Sequence, residues 1–166
     1  MLRDRAPNEL TFEAVAEAAG VSRALVYNYF GDRNGLLAAV ELRTLDELNR
    51  ELHDRIDATL DPVDQLRPLA ETYLEFARAH GPLWAIVLAG EVRHPSVEAA
   101  RRIRVERLAE LWGGTEAATA TAHAVTAMLE AATVGWPGTG GAPDRALDVV
   151  CSILEAGLAA GLAEVR

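Results

Sequence analysis

Between positions 22 and 33 the chain carries Ser22, Arg23, Ala24, Tyr27, Asn28, Tyr29 and Arg33, side chains suited to reading double-stranded DNA. An Arg near a helix start can pair bidentately with guanine, an Asn can do the same with adenine, and a small Ala permits close approach to a thymine methyl. Tyrosine hydroxyls reach phosphate oxygens, contacts that fix register and carry no sequence information. The same composition also fits a plain helix pair, with Tyr27 and Tyr29 as half-buried core aromatics and Arg23 as a solvated charge.

Such chemistry needs a rod to present it, and the flanking residues predict one. In the stretch TFEAVAEAAGVSRALVYNYF, Phe12, Val15, Ala16 and Ala19 recur at helical spacing and line up one apolar face. Thr11 can cap this first helix through its hydroxyl. Gly20 supplies a left-handed residue to end it, and Ser22 caps a second helix two residues later. Val26 and Phe30, with Val21, can anchor that second helix to the first. Two short helices joined by a tight glycine turn form the helix-turn-helix of major-groove readers.

The segment AVAEAAGVSRALVYNYFGDRNGLL resembles the N-terminal signature of the TetR family of bacterial transcriptional repressors. The likeness rests on Ala19, Gly20, Val21, Ser22, Tyr27, Tyr29, Phe30 and Arg33, followed by Leu36 and Leu37, and covers roughly residues 9 to 40. It implies phosphate contacts from Thr11, Tyr27, Tyr29 and Arg33, and base-facing positions at Arg23, Ala24 and Asn28. The family places another helix before this pair. Here MLRDRAPNEL contains Pro7 and has no apolar period, so that helix is expected to be missing.

The remaining chain reads as helical segments separated by Gly and Pro. A long helix capped by Asn34 is expected to run to about Leu60, and another from Asp61-Pro62 to His80, with a kink or a late start at Pro68. Gly81-Pro82 and LWAIVLAG make a short apolar helix, and Pro95 to Trp112 the next. Thr115 to about Val134 and Pro143 to Leu162 complete the series, with the loop GWPGTGGAP between them. Expected is an all-α protein, with a helix-turn-helix domain over residues 1–43 and a helical ligand-binding and dimerisation bundle over 44–166.

Half of the 166 residues are apolar, no run approaches a membrane span, and the start is too charged for a signal peptide, so a soluble cytoplasmic protein is expected. The net charge of −9 divides unevenly. Residues 1–43 carry five Arg against six acids, net −1, and residues 44–166 carry eleven against nineteen, net −8. The acidity therefore lies mostly outside the reader.

Nothing in the chain suggests catalysis, a cofactor or a metal. His53, His80, His94 and His123 lack ligand spacing, Cys151 sits in an apolar run, and Ser22 lacks a nucleophile elbow. The Gly135 to Gly141 loop has no Lys-Ser or Lys-Thr after it and reads as a turn. A small-molecule cavity is a better expectation. By resemblance it lies among the middle helices, where Tyr73, Phe76, Trp84, Trp112 and Met128 are large residues and His123 and Thr126 are polar anchors, implying a mostly apolar effector. Ala120, Ala124, Ala127 and Ala131, with Gly157, Ala160 and Gly161, allow close helix approach, and the resemblance assigns the last two helices to a homodimer. Expected overall is a dimeric regulator, released from operator DNA by a small molecule. The alternative is a helical ligand-binding or interaction protein that has lost DNA binding with its first helix.

Overall fold

Eight helices account for the regular structure of the computed structural model, which describes residues 10–90, 94–134 and 143–163. They are α1 (Phe12–Ala19), α2 (Arg23–Phe30), α3 (Arg33–Arg55), α4 (Pro62–Ala79), α5 (Gly81–Ala89), α6 (Pro95–Leu111), α7 (Glu116–Thr133) and α8 (Pro143–Ala163). The fold is all-α, a helix-turn-helix followed by a helical bundle, as the sequence predicts. The stretch before Leu10, where a further helix is expected to be missing, and the 135–141 loop lie outside the described residues.

The ends follow local chemistry. Thr11 Oγ1 accepts from the Ala14 amide at 3.2 Å, and Ser22 Oγ accepts from the Leu25 amide at 3.2 Å, so each short helix begins on a hydroxyl cap. Gly20, at φ 66° and ψ 30°, ends α1 in the left-handed region, and the Val21 amide bonds back to the Ala16 carbonyl. The α3 cap is Asp32 and not Asn34: Asp32 Oδ1 accepts from the Gly35 amide at 2.8 Å. α3 also stops at Arg55, short of Leu60, where Asp57 Oδ1 instead accepts from the Thr59 hydroxyl and amide. Those two bonds hold the Asp57 carboxyl below its ordinary pKa and offer the backbone a turn in place of another helical one. α4 runs through Pro68 as one continuous helix, starting on Pro62, where a missing N–H costs nothing.

The chain divides into two compact units, Met1–Glu47 with Ala79–Arg101, and Leu48–Arg78 with Arg102–Arg166. The first takes in α5 and the start of α6, which lie beyond the cut at residue 43 expected from the sequence. Its core is Leu10, Leu36, Leu37, Ala38, Ile86 and Val97, with Phe12, Val15 and Phe30 partly buried against it. Glu41 is sealed there and accepts from Arg101 Nε at 3.0 Å, while Arg101 Nη2 also donates to the Val87 carbonyl. A carboxylate in that position is tolerable only because a guanidinium meets it.

The second unit is packed by Leu48, Leu66, Tyr73, Phe76, Trp112 and Leu129, among others. Two of its polar core side chains are satisfied in series: Trp112 Nε1 donates to Gln65 Oε1 at 3.1 Å, and Gln65 Nε2 donates to the Leu60 carbonyl at 2.8 Å. α7, capped by Thr115, packs against α8.

Candidate nucleic-acid interface and ligand cavity

α2 touches its own unit through little more than Val26, which is buried, and Phe30, which is half-buried. Its other six residues are exposed. Arg23, Ala24, Asn28 and Ser22 are exposed, as are Tyr27 and Tyr29, the latter at 82%. Thr11 and Arg33 are exposed as well. All eight residues singled out from the sequence are therefore accessible, and the tyrosines are not core aromatics. Val21 is exposed instead of anchoring, and on α1 the buried positions are Ala14 and Ala16, with Ala19 in solvent at the helix end.

Two contacts link the helices across this surface. The rings of Phe12 and Tyr27 lie 5.4 Å apart and tilted by 40°, bracing the Tyr27 side chain against α1. Arg23 Nη1 lies 2.7 Å from Glu13 Oε1, with both side chains more than half exposed. The most prominent cation of α2 is thus already held, loosely, by its neighbour. The sequence gives a hint of this pair only if positions on two different helices are compared.

Gly35 is a positional residue that sequence reasoning overlooks. A Cβ placed on it would lie 2.0 Å from the Phe30 carbonyl oxygen, so the end of α2 and the first turn of α3 approach as closely as a glycine allows. A glycine in the first turn of a long helix is the signal, since it weakens that helix unless something must pass close by.

In the second unit a cavity of about 250 Å³ opens between α3, α4, α6 and α7. Leu52, Ile56, Leu69, Tyr73, Leu108 and Leu111 make it mostly apolar, while Asn49, His53, Arg104, Arg107 and Thr126 supply polar groups. Of the seven residues expected to hold a ligand, the structure brings Tyr73 and Thr126 to this wall. Phe76 and Trp112 are buried elsewhere in the unit, and Trp84 is buried in the first unit. His123 is exposed, because the inward face of α7 is Ala118, Ala122, Val125, Thr126 and Leu129, and Met128 is half-buried.

The overlooked member is Arg104. It is 7% exposed, donates from Nη2 to Glu130 Oε1 at 2.5 Å, and holds its guanidinium carbon 5.9 Å from the centre of the Tyr73 ring. In the sequence it stands among ARRIRVER, which reads as a solvated face. Among the described residues no cluster of three His, Cys, Asp or Glu could hold a metal, and no helix is long and apolar enough to cross a membrane. Burial pushes the Cys151 thiol above its ordinary pKa, the opposite of what a reactive thiolate requires.

Residues 1–40 match the tetR family of bacterial regulatory proteins. The regulator BetI of Stenotrophomonas maltophilia is 32% identical over 104 residues, which is 60% of this chain and 53% of that protein. BetI of Cronobacter sakazakii is 28% identical over 116 residues, covering 64% and 55%. The chain spans about half the length of these curated relatives. A TetR-like transcriptional regulator from Rhodococcus sp. RHA1 superposes with a TM-score of 0.69 at 27% identity, over 95% of this chain and 88% of that one. AibR, solved in complex with isovaleryl coenzyme A and operator DNA, shares the fold with a TM-score of 0.67 at 18% identity, over 92% and 90%.

Proposed function

We propose that this chain, which belongs to the tetR family of bacterial regulatory proteins, is a dimeric cytoplasmic repressor that leaves its operator DNA when a small, mostly apolar molecule fills the cavity of the second unit. One observation carries the reading: α2 is docked onto the first unit through Val26 and part of Phe30 and leaves Arg23, Ala24 and Asn28 outward. Those three are assigned to base edges. Thr11, Tyr27, Tyr29 and Arg33 are assigned to phosphates, and Ser22 to presenting the helix start.

Dimerisation is supported by the exposed faces of α7 and α8. Ala120, Ala124, Ala127 and Ala131 are all exposed along one side of α7, and Val149, Ile153 and Gly157 along α8. The surroundings of Ala160 and Gly161 lie outside the described residues. Covering such a face with a second copy would give two readers with a symmetry axis between them, as operator half-sites about 34 Å apart require.

Coupling is supported by α3, a single helix that carries Leu36 and Leu37 of the first core and Leu52 and His53 of the cavity wall. A ligand favouring a DNA-incompetent placement of α3 must weaken DNA binding by the factor by which DNA weakens the ligand. A mobility-shift assay with DNA from upstream of its own gene tests the reading. A retarded band lost with a cavity ligand is expected. A folded dimer that retards no DNA would instead support the helical ligand-binding protein.

A further inference from the structure

Among the described residues, the Nε and Nη1 atoms of Arg104 are buried and have no hydrogen-bond partner. A guanidinium cannot shed its charge, so this residue has lost water at two nitrogens and regained only the Glu130 carboxylate at the third. Structures rarely leave such donors unspent, because each buried polar group without a partner is destabilising. The site of the deficit is specific: Arg104 forms part of the cavity wall, and Arg107 lines the same cavity. Among the described residues no Asp or Glu lines it, and the carboxylate bonded to Arg104 is already balanced by it. Asn49, His53 and Thr126 add uncharged polar groups to the wall, and its remainder is aliphatic, with the Tyr73 ring beside the guanidinium.

We infer that the cavity takes an organic anion, a small monocarboxylic acid whose apolar tail lies against Leu69 and Leu108 and whose carboxylate accepts from Arg104 once the guanidinium turns its unpartnered nitrogens toward the cavity. The inference rests on the cavity being the effector site. The volume of about 250 Å³ corresponds to about eight waters at ~30 Å³ each, which suits a chain of roughly ten non-hydrogen atoms. Electrostatics give the selectivity. A carboxylate gains charge-assisted bonds, a neutral head of the same length leaves the donors unspent, and an ammonium meets a positive wall.

Calorimetric titration of the full chain with octanoate, 1-octanol and octylammonium tests this directly. Octanoate is expected to bind about tenfold or more tightly than octanol, the factor a charged hydrogen bond contributes, with octylammonium weakest. Arg104→Met should erase the octanoate advantage while octanol affinity holds. If that variant does not fold, the ranking of the three ligands on the unaltered protein decides alone. Octanol binding as well as octanoate would overturn the anion assignment and leave the cavity as an apolar effector site. No binding of any of the three would overturn both. A clear octanoate preference without any change in DNA retardation would uphold the anion and sink the effector reading.

Discussion

Arg23 and Arg104 each meet a glutamate, 2.7 Å from Glu13 and 2.5 Å from Glu130, yet the surroundings give the two pairs opposite meanings. In the first pair the side chains are 67% and 58% exposed, and in the second 7% and 20%. A pair in solvent is worth ~0–1 kcal/mol, so Arg23 can exchange Glu13 for a base edge at little cost. A buried pair behaves differently: removing one partner strands the other without water, and the loss is several-fold larger. The proposed reading surface is assembled from contacts that can be given up. The cavity wall is assembled from contacts that cannot.

The sharpest way to break this contrast is at Glu130. Glu130→Ala should destabilise the protein by about 3 kcal/mol in urea unfolding, whereas the double variant Arg104→Met with Glu130→Leu should return close to the starting stability. A loss below about 0.5 kcal/mol for the single variant would make the two pairs alike. Next comes Gly35→Ala, whose Cβ meets the Phe30 carbonyl. A cost of about 2–3 kcal/mol and loss of DNA retardation are expected, since the backbone must move to relieve the clash. Arg23→Ala should leave stability within about 0.5 kcal/mol yet cost roughly 1–3 kcal/mol at cognate DNA and relax specificity there, while Arg33→Ala weakens all sequences and lowers the salt slope by about one. Equal losses on cognate and random DNA for both would contradict the division into base and phosphate contacts.

Two smaller effects sharpen the picture. Glu13→Gln frees Arg23 and removes a negative charge facing DNA, so affinity should rise by a few tenths of a kcal/mol up to about 1. No change, measured by the same retardation assay, would mean that the pair does not restrain Arg23. Finally, burial raises the pKa of Cys151, so folding favours the protonated thiol. Its contribution is fully present below the unfolded thiol pKa of about 8.5 and declines as pH rises toward the higher folded value. Iodoacetamide should accordingly label Cys151 slowly in the folded protein and quickly in urea.

What could be read from the sequence was local. Hydroxyls at Thr11, Ser22 and Thr115 and glycines at 20 and 90 mark real helix ends, because capping involves residues only a few positions apart. The exposed set of α2 was legible for the same reason, being one short helix whose outward residues follow once Val26 is fixed inward. The cavity was not. Trp84 and Phe76 are large enough to line a pocket or to fill a core, and which they do depends on helices far away in the chain. Arg104 hides among neighbouring charges, since its burial is decided by Glu130, Tyr73 and the packing around α6.

If Arg23 reads a base edge as proposed, its contact with Glu13 has a kinetic corollary. Releasing that carboxylate is an equal expense at every landing place, and only a guanine edge returns it. Under the proposed role of Arg23, arbitrary sequence would leave the arginine with its helix neighbour and the complex loosely seated, and only the right purine would draw the side chain across.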